Sequence, residues 1–210
     1  MLQEQITDPQ SPKRKVWIII GGILCSIILL CVGAIGALRI YNDVQEKQYE
    51  GKPTTVPVQA YVALRTAAIN RKPGEIGLEV DPGSNQPYGI VMDWNVGKAT
   101  ATLTSFATGD ASMYYSTGGG YIGGITVDKI HAAAIRLVNT SGDYVAKLNK
   151  VTTFPMPAVG HVRFYIITPQ GVYGSEDIDE QTMNMDGVDF NSLDEAAQEV
   201  ISEIRLIIQK

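Results

Sequence analysis

Twenty-three consecutive residues, Val16 to Leu38, carry no charge. Any fold for this chain must first accommodate that run. As an α-helix it is roughly 34 Å long at about 1.5 Å per residue, enough to cross a hydrocarbon core of about 30 Å with slight tilt. Ile, Leu and Val dominate it, and at about −0.3 to −0.6 kcal/mol each they sum to an insertion term on the order of −5 kcal/mol. Trp17 and Tyr41 stand near its ends, where amphipathic rings prefer the headgroup level. A soluble helix of this length would show a polar face, and this run has none. The sequence therefore predicts one transmembrane helix over residues 16–40.

Lys13, Arg14 and Lys15 flank the run on one side, whereas Arg39, Asp43, Glu46 and Lys47 mix signs on the other. The positive-inside rule makes residues 1–15 a cytoplasmic tail and puts everything after Tyr41 outside, in the cell membrane's extracytoplasmic space. The alternative is a signal peptide cut near Ala34-Ile35-Gly36, with secretion of the rest. The apolar stretch exceeds the usual h-region of about 7–15 residues. Leu24 and Leu30, which precede the two cysteines, argue against a lipoprotein signal. Gly22, Ser26, Gly33 and Ala37 include two i, i+4 pairs of small residues, a face on which two membrane helices can approach closely. The expected partners are therefore the lipid bilayer, a second copy through this face, and a protein partner that the sequence does not identify.

Both cysteines, Cys25 and Cys31, lie inside the apolar run. The rest of the chain can hold neither a disulfide framework nor a cysteine-based zinc site. The net charge is −5, and with three basic against two acidic residues in the tail the remainder carries −6. Such a surface repels phosphate backbones, so nucleic acid is not an expected partner.

Residues 41–56 are polar, without periodicity, and read as a linker. Residues 57–210 read as one globular α+β domain. Pro57 to Asn70 has apolar residues at Val58, Tyr61, Val62, Ala68 and Ile69 and predicts a helix stopped by Lys72-Pro73-Gly74. Three strands follow. Tyr88 to Trp94 places Tyr88, Ile90, Met92 and Trp94 on one face. Ala99 to Phe106 alternates Ala101 and Leu103 against Thr102 and Thr104. Ala111 to Ser116 is the third. Short turns between them imply an antiparallel meander. A helix from Thr126 presents Ile130, Ala133, Ala134, Leu137 and Val138, with room to continue past Gly142 to Leu148. A loop, Val151 to Val159, leads to His161–Thr168, where Val162, Phe164 and Ile166 face one way. Thr168-Pro169-Gln170-Gly171 turns the chain into a fifth strand at Val172-Tyr173. Gly174 to Asp189 is acidic and loop-like. Ser192-Leu193-Asp194-Glu195 matches a capping box, and Leu193, Ala196, Ala197, Val200, Ile201, Ile204 and Ile208 form one stripe after it. The expected fold is an antiparallel sheet of about five strands, a meander plus a hairpin, with flanking helices and one preceding transmembrane helix.

Gly118-Gly119-Gly120-Tyr121-Ile122-Gly123 matches G-x-G-x-x-G between a strand and a helix. In that setting backbone amides and a helix N-terminus can cradle a phosphate. Ser116, Gly118, Gly120 and Gly123 are therefore the candidate binding residues. A dinucleotide site needs a parallel βαβ unit, and the strand before this loop belongs to a meander, so a structural strand-to-helix turn is the competing reading. His131 and His161 share no ligand spacing, and no metal is expected. Ser116 lacks the glycine two residues earlier that a nucleophile elbow needs, Tyr114 standing there, and no base can be paired with it. Asp186-Gly187-Val188-Asp189 resembles the back half of a calcium loop, but Thr182 and Leu193 stand where the first Asp and the last Glu belong. Asn139-Thr140-Ser141 fits the glycosylation sequon but falls in a predicted helix. No catalytic residue and no cofactor is predicted.

Tyr88-Gly89-Ile90-Val91-Met92, Tyr114-Tyr115-Ser116-Thr117-Gly118-Gly119-Gly120, Val162-Arg163-Phe164-Tyr165 and Gln198-Glu199-Val200-Ile201 carry a resemblance, over Tyr88–Arg205, to a small bacterial α+β domain family of unknown activity. At fold level the element order is loosely similar to profilin-like and roadblock-type domains, although three strands rather than two precede the middle helix. The resemblance implies a sheet with flanking helices and transfers no site residue. The expected function is a membrane-anchored, non-enzymatic binding or scaffolding domain. The alternatives are ligand sensing through the glycine-rich loop 116–124, or an enzyme whose site the sequence does not mark.

Overall fold

The computed structural model describes residues 58–209. The expected tail, transmembrane helix and linker, and the small-residue face of Gly22, Ser26, Gly33 and Ala37, lie outside the described residues. Among the described residues no helix is long and apolar enough to cross a membrane.

Helix α1 (Gln59–Ile69) is followed by a 3-10 turn over Pro73–Ile76. The meander β1 (Gly89–Asn95), β2 (Thr100–Phe106) and β3 (Ala111–Tyr115) leads to a two-residue strand, β4 (Gly120–Tyr121). Helix α2 (Asp128–Ser141) runs on into a 3-10 segment, Gly142–Lys147, and then β5 (Asn149–Val151). The hairpin β6 (His161–Thr168) and β7 (Gly171–Gly174) precedes β8 (Ile178–Asp179), β9 (Asn184–Met185) and β10 (Val188–Asp189). Helix α3 (Asn191–Ile208) closes the domain.

The strands make one antiparallel sheet in the order β4-β3-β2-β1-β6-β7-β5, with β8 also paired to β6, while β9 and β10 form a separate hairpin. The sheet thus has eight strands rather than about five. The additions are pieces of two or three residues, too short to show the alternation that betrays a strand. The acidic stretch expected as loop contains three of the short strands. Its Asp186-Gly187 pair has φ of 51° and 82°, the left-handed geometry of a two-residue hairpin turn, so the segment resembling a calcium loop is the β9–β10 hairpin.

Alternation sends Ile90, Met92, Leu103, Met113, Phe164 and Ile166 to the face covered by α2 and α3. Leu193, Ala197, Val200, Ile201 and Ile204 form the buried stripe of α3. The four larger of these each contribute about 1.5–3 kcal/mol on burial. Ile208, placed in that stripe by its spacing, is 55% exposed, and Ile207 packs against the core instead. The capping box is absent as well. The helix begins at Asn191, after Phe190, and Asp189 accepts the Asn191 N–H at 2.8 Å. The ring of Phe190 stacks on Tyr144 and Phe164, with centroids 5.0 and 6.0 Å away. That buried ring fixes where the helix starts and leaves Ser192 inside the first turn.

The second face is covered by α1 and by flanking segments, through Ala68, Ile69, Val91, Phe106, Tyr165 and Ile167. Tyr88 belongs here, not with Ile90, because it precedes β1. The buried positions of α1 are Tyr61, Arg65, Ala68 and Ile69, whereas Val62 is exposed. A charged residue therefore occupies the centre of the helix's inward stripe.

Candidate functional site

The glycine-rich segment is a hairpin. Gly118 donates its N–H to Tyr115 O at 2.9 Å, and Tyr115 N–H donates to Gly119 O at 3.2 Å. Gly120 pairs with Tyr114, and Gly123 N–H reaches Ser112 Oγ at 3.3 Å. Ser116 is used three times. Its hydroxyl accepts the Thr100 N–H at 2.8 Å, its N–H donates to Thr100 O at 2.9 Å, and its carbonyl accepts the Val58 N–H at 3.0 Å. The four candidate residues are adjacent, and these contacts tie them into strand pairing and the docking of the α1 entry.

The two histidines sit apart in the fold. His131, in the first turn of α2, packs its ring against Gly109, where an added Cβ would come within 2.2 Å of Nδ1. His161 opens β6, its Nδ1 lying 2.9 Å from Val159 O. Among the described residues no group of three or more His, Cys, Asp or Glu side chains could hold a metal ion. Ser141 of the glycosylation triplet is buried and donates to Val138 O at 2.7 Å.

A polar centre lies beneath α1. Asp93, in the middle of β1, is fully buried. Arg65 donates from Nε and Nη2 to its Oδ2 at 2.8 and 2.6 Å, and from Nη2 to Phe154 O at 3.0 Å. The Thr102 hydroxyl donates to Asp93 Oδ1 at 2.6 Å and accepts from the Tyr61 hydroxyl at 2.7 Å. Tyr61 meets Tyr114 edge-on, and the Arg65 guanidinium lies 5.5 Å from the Tyr165 ring centre. Burial, helped by the Asp93 charge, pushes the Tyr61 phenol up to about 12, and burial pushes that of Tyr114 up as well. The network is closed over by protein and every charge has a partner. That suits holding a helix in register better than meeting a substrate. A second pair lies on the same face at β6. Arg163 Nε donates to Asp177 Oδ1, and Ala158 N–H donates to Asp177 Oδ2 at 3.0 Å. Burial alone would raise the Asp177 carboxyl, but that amide and the guanidinium prevail and hold it below the usual range.

An open concavity lies elsewhere among the described residues. A cleft of about 360 Å³ lies between the residues that follow α1 and the β6–β7 turn. Its walls are largely apolar, with Ile69, Val80, Tyr88, Ile167 and Pro169 among them, and two cations, Arg71 and Lys72, enter it. No Asp, Glu, His, Ser or Cys lines it. A groove of about 280 Å³ shares Val80, Tyr88 and Pro169 and continues toward Leu78 and Ala107. Arg71 Nε is buried with no hydrogen-bond partner among the described residues. Sequence reasoning missed this cleft because its lining comes from segments about one hundred residues apart. The one local signal was the pair Arg71-Lys72 beside Pro73. No family model, curated protein or solved structure matches the chain.

Proposed function

We propose that the chain is a membrane-anchored, non-enzymatic binding domain, tethered by the uncharged run Val16–Leu38 with residues after Tyr41 on the extracytoplasmic side. The observation that carries the binding reading is the make-up of the cleft. It is concave, mostly apolar and marked by two cations, the pattern of a recognition site. Acid–base or nucleophilic chemistry needs a paired base or an activated nucleophile. In the lining the Tyr88 and Thr168 hydroxyls are taken up by the carbonyls of Arg71 and Gly171, and Lys72 has no carboxylate, imidazole, serine or thiol of the lining beside it. The tether is supported by the length of the apolar run and the asymmetry of its flanks. Contact between two anchors through Gly22, Ser26, Gly33 and Ala37 would pair two copies of the domain and raise avidity for a partner that displays several copies of a ligand.

The test is fractionation and topology of the full chain. It should stay in the membrane pellet after a high-salt or carbonate wash. Protease added outside an intact cytoplasmic membrane should digest the domain. Recovery in the soluble fraction, or protection of the domain until that membrane is broken, refutes the tether and its orientation.

A further inference from the structure

We infer that the cleft takes a small carboxylate with an apolar body, the carboxylate being held by Arg71 and Lys72; this rests on reading the domain as a binding module. Arg71 is half-buried in the wall, and a guanidinium N–H sealed without an acceptor is costly. Its backbone is fixed, because its carbonyl accepts the Tyr88 hydroxyl at 2.7 Å and its N–H donates to Ala68 O at 3.2 Å. The guanidinium is thus presented from a rigid base, which lowers the ordering cost of binding. Among the described residues no carboxylate forms an ion pair with Arg71 or Lys72. The nearby Glu75 accepts the Lys72 backbone N–H at 3.0 Å. A carboxylate entering the cleft supplies the missing acceptor as a forked pair, the geometry a planar guanidinium prefers. That pairing requires the Arg71 side chain to turn, because its Nε is closed off from solvent as the side chain stands.

The surroundings favour a monoanion over phosphate. Pro73 and Pro169 offer no N–H. Gln170 is committed through its backbone N–H to Thr168 Oγ1 and through Nε2 to Pro82 O. The carbonyl end of α1 precedes Arg71, and the negative end of a helix penalises each added negative charge. The apolar body lies along Val80, Tyr88 and Pro169, which join the two grooves, and stops short of Glu79, Asp81 and Ser84, which line the second groove.

The experiment titrates the full ¹⁵N-labelled chain, in nonionic detergent micelles, with benzoate, benzamide and inorganic phosphate. Benzoate should give saturable shifts at Gly171, Val172 and the Arg71 Nε–H signal, with a Kd of about 1 mM, as suits so small a probe. Benzamide, which keeps the ring and loses the charge, should bind at least about tenfold more weakly. Arg71→Met should weaken benzoate at least about tenfold without lowering the melting temperature, since it removes an unsatisfied group. Should that variant fail to fold, Arg71→Lys and Lys72→Gln serve, each expected to weaken benzoate about threefold. No saturable shift with benzoate, equal shifts with phosphate, or unchanged binding in folded variants overturns the inference. None of these outcomes alters where the chain fractionates, so the tether stands or falls separately.

Discussion

Arg65 on α1 turns two N–H groups on a single oxygen of Asp93, at 2.8 and 2.6 Å, and leaves the other oxygen to the Thr102 hydroxyl. The helix is thereby keyed to the central strand by a charge pair rather than by apolar contact alone. Asp93→Ala leaves a buried guanidinium uncompensated and should cost about 3–5 kcal/mol. Arg65→Met combined with Asp93→Val should restore much of that loss, because the cost lies in the orphaned charge. Urea unfolding of the full chain measures both, and a single-variant loss below about 1 kcal/mol would show the pair to be energetically idle.

Alkali should act on the same centre. The Tyr61 phenol is raised from 10 to about 12 in the folded domain. For a group raised on folding, the stabilising contribution is complete below the unfolded value and drains away as pH climbs through the folded one. Stability should therefore fall between pH 10 and about 12, by on the order of 2 kcal/mol for this group. Tyr61→Phe should flatten that limb in thermal melts taken across the window. An unchanged slope in the variant would assign the limb to other groups.

The acid side is set in part by Asp177, whose carboxyl is lowered in the fold. The sign is the reverse. Its contribution is present above the ordinary carboxylate range and is lost as pH falls through the folded value. The side chain is 29% exposed, so solvent screening limits the effect to about 1 kcal/mol. Asp177→Asn should lower stability at neutral pH and shrink the loss seen on acidification toward pH 3. Denaturation midpoints at pH 7 and pH 3 give the comparison directly.

The glycines of the hairpin are not equivalent. A Cβ on Gly120 would sit 2.3 Å from Met113 O and 2.7 Å from Tyr114 Cα, backbone atoms that cannot yield cheaply. At Gly119 the φ of 78° is unfavourable but nothing lies within 4 Å. Gly119→Ala should cost roughly 1–2 kcal/mol, and Gly120→Ala clearly more. Equal losses in a denaturation series would mean that the hairpin's close strand contact is not what requires glycine.

The three helices, the meander and the β6–β7 hairpin are legible in the sequence because each shows a period that burial enforces. Ile90 and Met92 alternate as β1 requires, and Leu193, Ala197, Val200 and Ile204 recur at helical spacing. The short strands carry no period, and their pairing follows from the placement of longer neighbours. Asp93 stands on the opposite face of β1 from Ile90 and Met92, and nothing in the alternation marks it as buried. It is buried because the sheet is covered on both faces, which alternation in a single strand cannot reveal. Its partner lies 28 residues away. The start of α3 lies before the Ser192–Glu195 capping box because the buried ring of Phe190, held by Phe164 and Tyr144, outweighs that local signal. The glycine-rich candidates belong to one short loop, whereas the cleft with Arg71 arises only once the β6–β7 turn is folded against the end of α1.

Finally, the sheet terminates in stubs, two residues of β4 at one margin and three of β5 at the other. A growing ladder needs a long exposed row of amides and carbonyls to copy, and stubs of this length offer little template. Copies of the domain meeting at high concentration would consequently resist polymerising strand upon strand.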